Sequence, residues 1–75
     1  MSGHAPVIVL PPLTAGGRRV TIHGQIVGLA HGRGDVAELV RRAGLGREGE
    51  TIDLLDEALV EWRGGGVDDW PVPHA

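Results

Sequence analysis

A short amphipathic helix with clear start and stop signals is the feature that most constrains the fold of this chain. Apolar residues recur at the helical spacing i, i+3, i+4 and i+7 over residues 36–43. Asp35, with Glu38 three residues later, matches a capping box and is predicted to be the N-cap. Gly44 suits the left-handed position after a helix, and Leu45 supplies the apolar contact of a Schellman ending. The sequence therefore predicts a well-defined helix that packs its apolar face on a sheet.

A β-hairpin is predicted just before this helix, over residues 19–30. With Gly24-Gln25 as the two loop residues, as in a type II′ turn, one face of the hairpin is wholly aliphatic. The pairs on that face are Ile22 with Val27 and Val20 with Leu29. A loop of His23-Gly24 would break this pairing, so the first register is preferred.

Two further segments complete the predicted elements. Residues 6–10 are expected to form a strand that Pro11-Pro12 ends, since proline donates no hydrogen bond to a sheet. Four apolar residues of the later segment follow a helical stripe: Ile52, Leu55, Leu59 and Trp62. This spacing favours a second, short helix over residues 52–62. The alternative is a turn at Asp56 followed by a strand over residues 59–63.

The chain is predicted to be one small α+β domain with a sheet of about three strands. Residues 1–5 are a disordered leader, residues 6–66 the domain, and residues 67–75 an extended tail containing Trp70 between acidic residues and prolines. At 75 residues the chain lies near the lower limit for a self-sufficient core. The core must be Val, Ile and Leu, because Cys, Phe and Tyr are absent. A partner or a second copy would add buried area.

Residues 19–45 resemble the opening hairpin and helix of β-grasp domains, which include ubiquitin-like sulfur carriers and plant-type ferredoxins. The likeness lies in a strand, a turn containing Gly24, a second strand, a small polar loop and a capped helix ending in Gly44-Leu45. A sulfur carrier of that family ends in a free Gly-Gly, whereas Gly65-Gly66 is followed here by nine residues. Ferredoxins need cysteines. The resemblance therefore implies a β-grasp-like accessory subunit of a larger enzyme.

Residue types rule out several classes of chemistry. The absence of cysteine excludes thiolate-held zinc and iron–sulfur clusters, and the absence of lysine excludes lysine-based catalysis. The four histidines lack the spacing of a ligand set. They are His4, His23, His31 and His74. No catalytic residue, metal or cofactor is predicted, and the chain is interpreted as a non-enzyme. Its all-arginine basic content suggests a GC-rich bacterial genome.

Basic and acidic residues are unevenly distributed along the chain. Residues 1–47 carry six arginines against Asp35 and Glu38, a net +4, and residues 48–75 carry Arg63 against eight acids, a net −7. We expect the domain to neutralise itself on folding. An alternative is a basic face for nucleic acid, as in a small transcriptional regulator. That face would consist of Arg18, Arg19, Arg41, Arg42 and Arg47.

Protein–protein interaction is the preferred functional prediction. The strand over residues 6–10 would offer Val7 and Val9 at an exposed edge for pairing with another strand. Trp62 and Trp70 are the only aromatic residues, and either could close the core or anchor a partner. The sequence thus predicts an adaptor or regulatory protein that binds another protein or a second copy of itself. We predict a cytoplasmic location, because the N-terminus has no signal-peptide pattern.

Overall fold

The structure, a computed structural model, describes residues 5–46 and 51–71 and has an α+β fold. Its strands are β1 (Val7–Pro12), β2 (Arg18–Ile22), β3 (Gln25–Ala30) and β4 (Val60–Trp62), and α1 (Arg33–Arg42) follows β3. The four strands form one sheet in the order β3-β2-β1-β4. The pairs β1–β2 and β2–β3 are antiparallel, and β4 joins β1 in parallel. The predicted small sheet with a packing helix is confirmed, and β3 and β4 form its edges.

Aliphatic side chains from the sheet and α1 form the core, as the composition predicts. Alternate residues of β1 and β2 point to one face of the sheet, where α1 packs Val36 and Val40 against them. The buried hydrophobic residues are Val7, Val9, Val20, Ile22, Ala30, Val36, Val40, Ile52 and Val60. Within the described ranges no second helix covers the opposite face, so this is a two-layer domain.

The helix begins earlier than predicted. Its N-cap is Gly32, which makes no side-chain capping bond, so the prediction that Asp35 is the N-cap is wrong. Asp35 instead lies in the first turn and accepts a hydrogen bond of 2.9 Å from the backbone N–H of His31. A carboxylate in the first turn is favourable because the helix dipole is positive there.

The end of α1 confirms the predicted Schellman ending. The Gly44 N–H donates to the Arg41 carbonyl at 2.9 Å, and the Leu45 N–H donates to the Val40 carbonyl at 3.2 Å. Gly44 has a φ of 78°, in the left-handed region that glycine adopts without a Cβ penalty. The local sequence was therefore enough to locate the end of the helix.

Two glycines, one in the first turn of α1 and one just after its end, are expected to respond oppositely to alanine. Gly44→Ala should lower the free energy of unfolding by about 1 kcal/mol, because alanine is strained at positive φ. Gly34→Ala should raise it by about 0.5 kcal/mol, because Gly34 is helical, has open space around its Cβ position, and gains helix propensity. Urea unfolding followed by circular dichroism measures both changes. Equal effects of the two substitutions would contradict the helix end described above.

The hairpin turns at His23-Gly24, so the predicted register is wrong. Both residues have positive φ, 51° and 82°, as a type I′ turn requires. The strand pairs are Ile22 with Gln25, Thr21 with Ile26, Val20 with Gly28, Arg19 with Leu29 and Arg18 with Ala30. Val27 is thus an extra residue in β3, a β-bulge. As a result Gly28 and Ala30, rather than Val27 and Leu29, lie on the core side of β3.

The first strand continues through the prolines that were predicted to end it. β1 extends to Pro12, which pairs with Arg18 after an irregularity in the ladder beyond Val9. Proline is tolerated at such a position because the interrupted ladder does not need its missing N–H.

Residues 52–62 do not form the predicted helix. Turns lead into the short strand β4 (Val60–Trp62), as in the alternative interpretation. Asp53 and Asp56 each accept a hydrogen bond of 3.0 Å from the backbone N–H two residues later. These Asx turns compete with helical hydrogen bonding and favour turns. The chain then enters β4, where Val60 pairs with Val7 of β1.

Candidate functional site

Arg18 is a fully buried cation whose side chain makes a complete set of hydrogen bonds. β2 places its side chain on the core side of the sheet, where the residue has 0% exposure. Its Nε donates to the Leu10 carbonyl at 2.9 Å. Its terminal nitrogens donate to the carbonyls of Arg63 at 2.8 Å, Gly65 at 3.2 Å, Gly66 at 2.8 Å and Asp69 at 3.1 Å. A guanidinium has five N–H donors, so every donor is bound to a main-chain carbonyl.

The two tryptophans enclose this guanidinium. The carbon at its centre lies 5.3 Å from the Trp62 ring centroid and 5.6 Å from that of Trp70, within cation–π range. The two rings meet edge to face, with their centroids 5.9 Å apart and an interplanar angle of 87°. Each indole N–H is also satisfied, by the Leu54 carbonyl for Trp62 and the Val67 carbonyl for Trp70. We call Arg18, its carbonyl partners and these two rings the Arg18 site.

No carboxylate of the described residues forms an ion pair with Arg18. Burial lowers the pKa of the Arg18 guanidinium below its ordinary value, and the nearby Asp69 carboxylate acts in the opposite direction. An arginine remains charged under all physiological conditions. The carbonyl dipoles therefore do the work that a carboxylate does in a buried ion pair.

The Arg18 site fastens the segment after β4 to the sheet. Residues 67–71 were predicted to belong to an extended tail, but Trp70 packs against the core cluster and the Asp69 carbonyl binds Arg18. Arg33 adds a surface ion pair with Asp68 at 2.6 Å, which joins the basic and acidic halves of the chain. The rest of the predicted tail, residues 72–75, lies outside the described residues, as do residues 1–4 of the predicted leader. Trp62 and Trp70 are thus both engaged in the fold and partly buried, and binding of a partner by either ring stays a prediction.

Arg18 is unavailable to the basic face predicted for nucleic acid, because it is buried and all its donors are used. Arg19 and Arg41 are exposed, and Arg42 is exposed but pairs with Glu38 at 2.9 Å. Arg47 lies outside the described residues. Binding of nucleic acid stays a prediction, with Arg18 removed from its list of contacts.

The prediction that Val7 and Val9 lie at an exposed edge is wrong. β1 is hydrogen-bonded to β2 on one side and to β4 on the other, and both valines have 0% exposure. The error follows from preferring a helix to the alternative strand over residues 59–63, because β4 covers the edge that β1 would otherwise offer. Val7 and Val9 are core residues.

β3 is the longer of the two edge strands, and it exposes three large apolar side chains. Ile26, Val27 and Leu29 are 64%, 42% and 46% exposed, and Leu55 is the other exposed large hydrophobic residue of the described ranges. We call the outer side of β3, with these three side chains, the β3 edge. Sequence reasoning missed it because the wrong register assigned Val27 and Leu29 to the core. The signal that could have found it was His23-Gly24, since glycine and a residue tolerant of positive φ suit a type I′ turn.

A groove runs beside the β3 edge, between β3 and α1. Its lining residues are Leu29, Asp35, Glu38, Leu39 and Arg42, and its volume is about 220 Å³. The four helical residues follow the spacing i, i+3, i+4 and i+7 and therefore form one stripe along α1. Acidic groups lie toward the start of this stripe, Leu39 in its middle and Arg42 at its end. We call these four residues the α1 stripe.

No protein-family model, curated protein or solved structure matches the chain. The resemblance of residues 19–45 to β-grasp domains therefore stays a prediction.

The described residues hold neither a metal-binding cluster nor a membrane-spanning helix. They contain no group of three or more His, Asp or Glu side chains placed to hold a metal ion. None of their helices has the length and apolar character needed to span a bilayer.

Proposed function

We propose that the protein is a small, non-enzymatic adaptor or regulatory protein of the cytoplasm, which binds another protein chain at the β3 edge. The observation that carries this proposal is that β3, apart from its bulge at Val27, has neither the charged residues nor the proline that usually protect an edge strand. Edge strands of monomeric proteins are usually blunted by charged residues or proline, because their unpaired N–H and C=O groups recruit other strands. β3 reads Gln-Ile-Val-Gly-Leu-Ala, with no charge and no proline.

The opposite edge provides a contrast within the same molecule. β4 has only three residues, and one of them is the charged Glu61. A short, charged edge is the usual protected type. The difference between the two edges supports binding at β3 by strand addition, in which main-chain hydrogen bonds give affinity and side-chain contacts give specificity.

A lysine at the β3 edge is expected to remove partner binding without unfolding the domain. In cells that express the protein, cross-linking should capture a defined set of chains with the natural protein. Ile26→Lys should reduce that capture at least ~10-fold, because a lysine on an edge strand disfavours pairing. Quantitative mass spectrometry of the cross-linked products gives the measurement.

Leu55→Lys is the matched control. Leu55 is 67% exposed, close to the 64% of Ile26, but lies in a turn between α1 and β4 rather than on β3. Capture should therefore survive this substitution. If the two lysine variants capture the same chains in the same amounts, binding at the β3 edge is excluded. Circular dichroism establishes that both variants fold.

A further inference from the structure

We infer that the chain bound at the β3 edge is a second copy of this protein, paired through β3 in antiparallel orientation about a two-fold axis. This inference rests on the proposed function and names its partner. Antiparallel pairing of identical edge strands relates the two copies by a two-fold axis perpendicular to the sheet, which is the isologous arrangement of most dimers. The two sheets would join into one, with both helices on the same side.

The first support is geometric. The two-fold axis would lie between the two β3 strands, beside their midpoints and therefore close to Gly28. A Cβ built on Gly28 would lie 3.1 Å from a terminal carbon of Leu39, so the middle of the α1 stripe lies above the middle of β3. One axis can therefore relate both the strands and the helices near their midpoints. The Leu39 side chains of the two copies would approach each other at this axis.

The second support is the charge order of the α1 stripe. The two-fold axis runs the two helices past each other in opposite directions. Asp35, at the start of one stripe, then lies beside Arg42, at the end of the other, and the symmetry repeats the pair. Opposite charges therefore meet when a second copy of the stripe runs in the opposite direction, and this complementarity favours a second copy over an unrelated partner. Such charge patterns set the register and choice of partner more than the affinity.

The third support is the need for buried apolar surface. The domain has a small aliphatic core and leaves Ile26, Val27 and Leu29 exposed on one strand. Pairing of β3 with its copy would place these residues of the two chains beside one another across the new strand pair and reduce their exposure. Apolar burial is the main favourable contribution to association of this kind.

Charge reversal gives a test with a built-in rescue. Asp35→Arg and Arg42→Asp should each weaken self-association of the purified full chain at least ~10-fold, because each places two like-charge pairs across the axis. A mixture of the two variants restores opposite charges at both positions. It should therefore form a heterodimer of about natural affinity. Sedimentation velocity up to millimolar concentration measures all three, and circular dichroism verifies that each variant is folded.

Arg41→Asp is the control, because Arg41 is exposed but does not line the groove beside β3. It should leave self-association unchanged and should not rescue Asp35→Arg. A natural protein that stays monomeric at every concentration would overturn the second-copy inference, as would a dimer that Ile26→Lys leaves intact or a mixture that associates no better than its components. The proposed function fails separately, when cross-linked partners in cells are indifferent to Ile26→Lys.

Discussion

Arg18→Met should lower the free energy of unfolding by on the order of 3 kcal/mol, a large part of what a domain this small can have. Buried ion pairs can sometimes be replaced by apolar side chains at no cost, since both charges are removed together. Here the partners of Arg18 are main-chain carbonyls, which stay polar whatever residue occupies position 18. Methionine fills a similar volume but removes the Arg18 donor from five carbonyls, of which only that of Gly66 is shown with a second donor among the described residues, the Asp69 N–H at 3.1 Å. Hydrogen bonds from water must then replace those that the guanidinium donated.

Arg18 links the carbonyls of residues 63–69 to the sheet, so we expect this segment to loosen first when the guanidinium is removed. Trp62 and Trp70 should then become more accessible. The measurement is urea unfolding together with the emission maximum and acrylamide quenching of tryptophan fluorescence. A red shift and stronger quenching before global unfolding would identify local release of the segment.

Two companion substitutions separate the Arg18 site from general effects of arginine loss. Arg19→Met alters the adjacent, exposed residue of β2 and should change stability by less than about 0.5 kcal/mol. Arg18→Lys keeps the charge, but its three donors cannot reproduce the planar fork, so it should recover only part of the loss. If Arg18→Met matches Arg19→Met in stability and emission, Arg18 does not hold the segment.

The elements that sequence reasoning predicted well are those that local chemistry controls. Gly44 and Leu45 located the end of α1 because the Schellman bonds form within a few residues of chain. The aliphatic core followed from the residue types available. The α+β class followed from one clear helix next to strand-forming runs.

The elements that it missed depend on contacts between distant residues. The hairpin turns at His23-Gly24, and the bulge at Val27 shifts the later part of β3 by one residue so that Gly28 and Ala30 face the core. A prediction from strict alternation of apolar residues does not allow for such an extra residue. The strand β4 forms because Val60 finds β1, more than 50 residues earlier in the chain. The spacing of apolar residues within one segment carries no information about pairing with a strand so far away in the sequence. Because of these two errors, β1 was predicted to be an exposed edge strand although it lies inside the sheet, and the exposed edge strand β3 was not recognised.

The role of Arg18 was missed for a related reason. In sequence it sits beside Arg19, and an Arg-Arg pair is typical of a solvated basic surface. Its partners include carbonyls 45 to 51 residues away. Main-chain carbonyls carry no sequence signature. The accessible hint was the glycine run 64–66 between two tryptophans, because glycines allow carbonyls to converge on one cation.

Gly64→Ala should destabilise the same segment from its backbone, by about 2 to 3 kcal/mol. Gly64 has a φ of 75°, where a side chain is strained. A Cβ built there would also lie 2.7 Å from Cβ, 2.9 Å from Cγ and 3.0 Å from Cα of Pro11. The proline ring is rigid and β1 lies between two hydrogen-bonded strands, so neither can move without a large loss of stability. The segment must shift, and the carbonyls of Arg63 and Gly65 then lose their alignment with Arg18.

Gly66→Ala is the matched control within the same glycine run. Gly66 has no positive φ and nothing within 4 Å of its Cβ position. Alanine there should change stability by less than about 0.5 kcal/mol, although the Gly66 carbonyl also binds Arg18. Because Gly64→Ala and Arg18→Met act on one site, the double variant should cost less than the sum of the two single losses. Full additivity in urea unfolding would mean that the glycine and the arginine stabilise the segment independently.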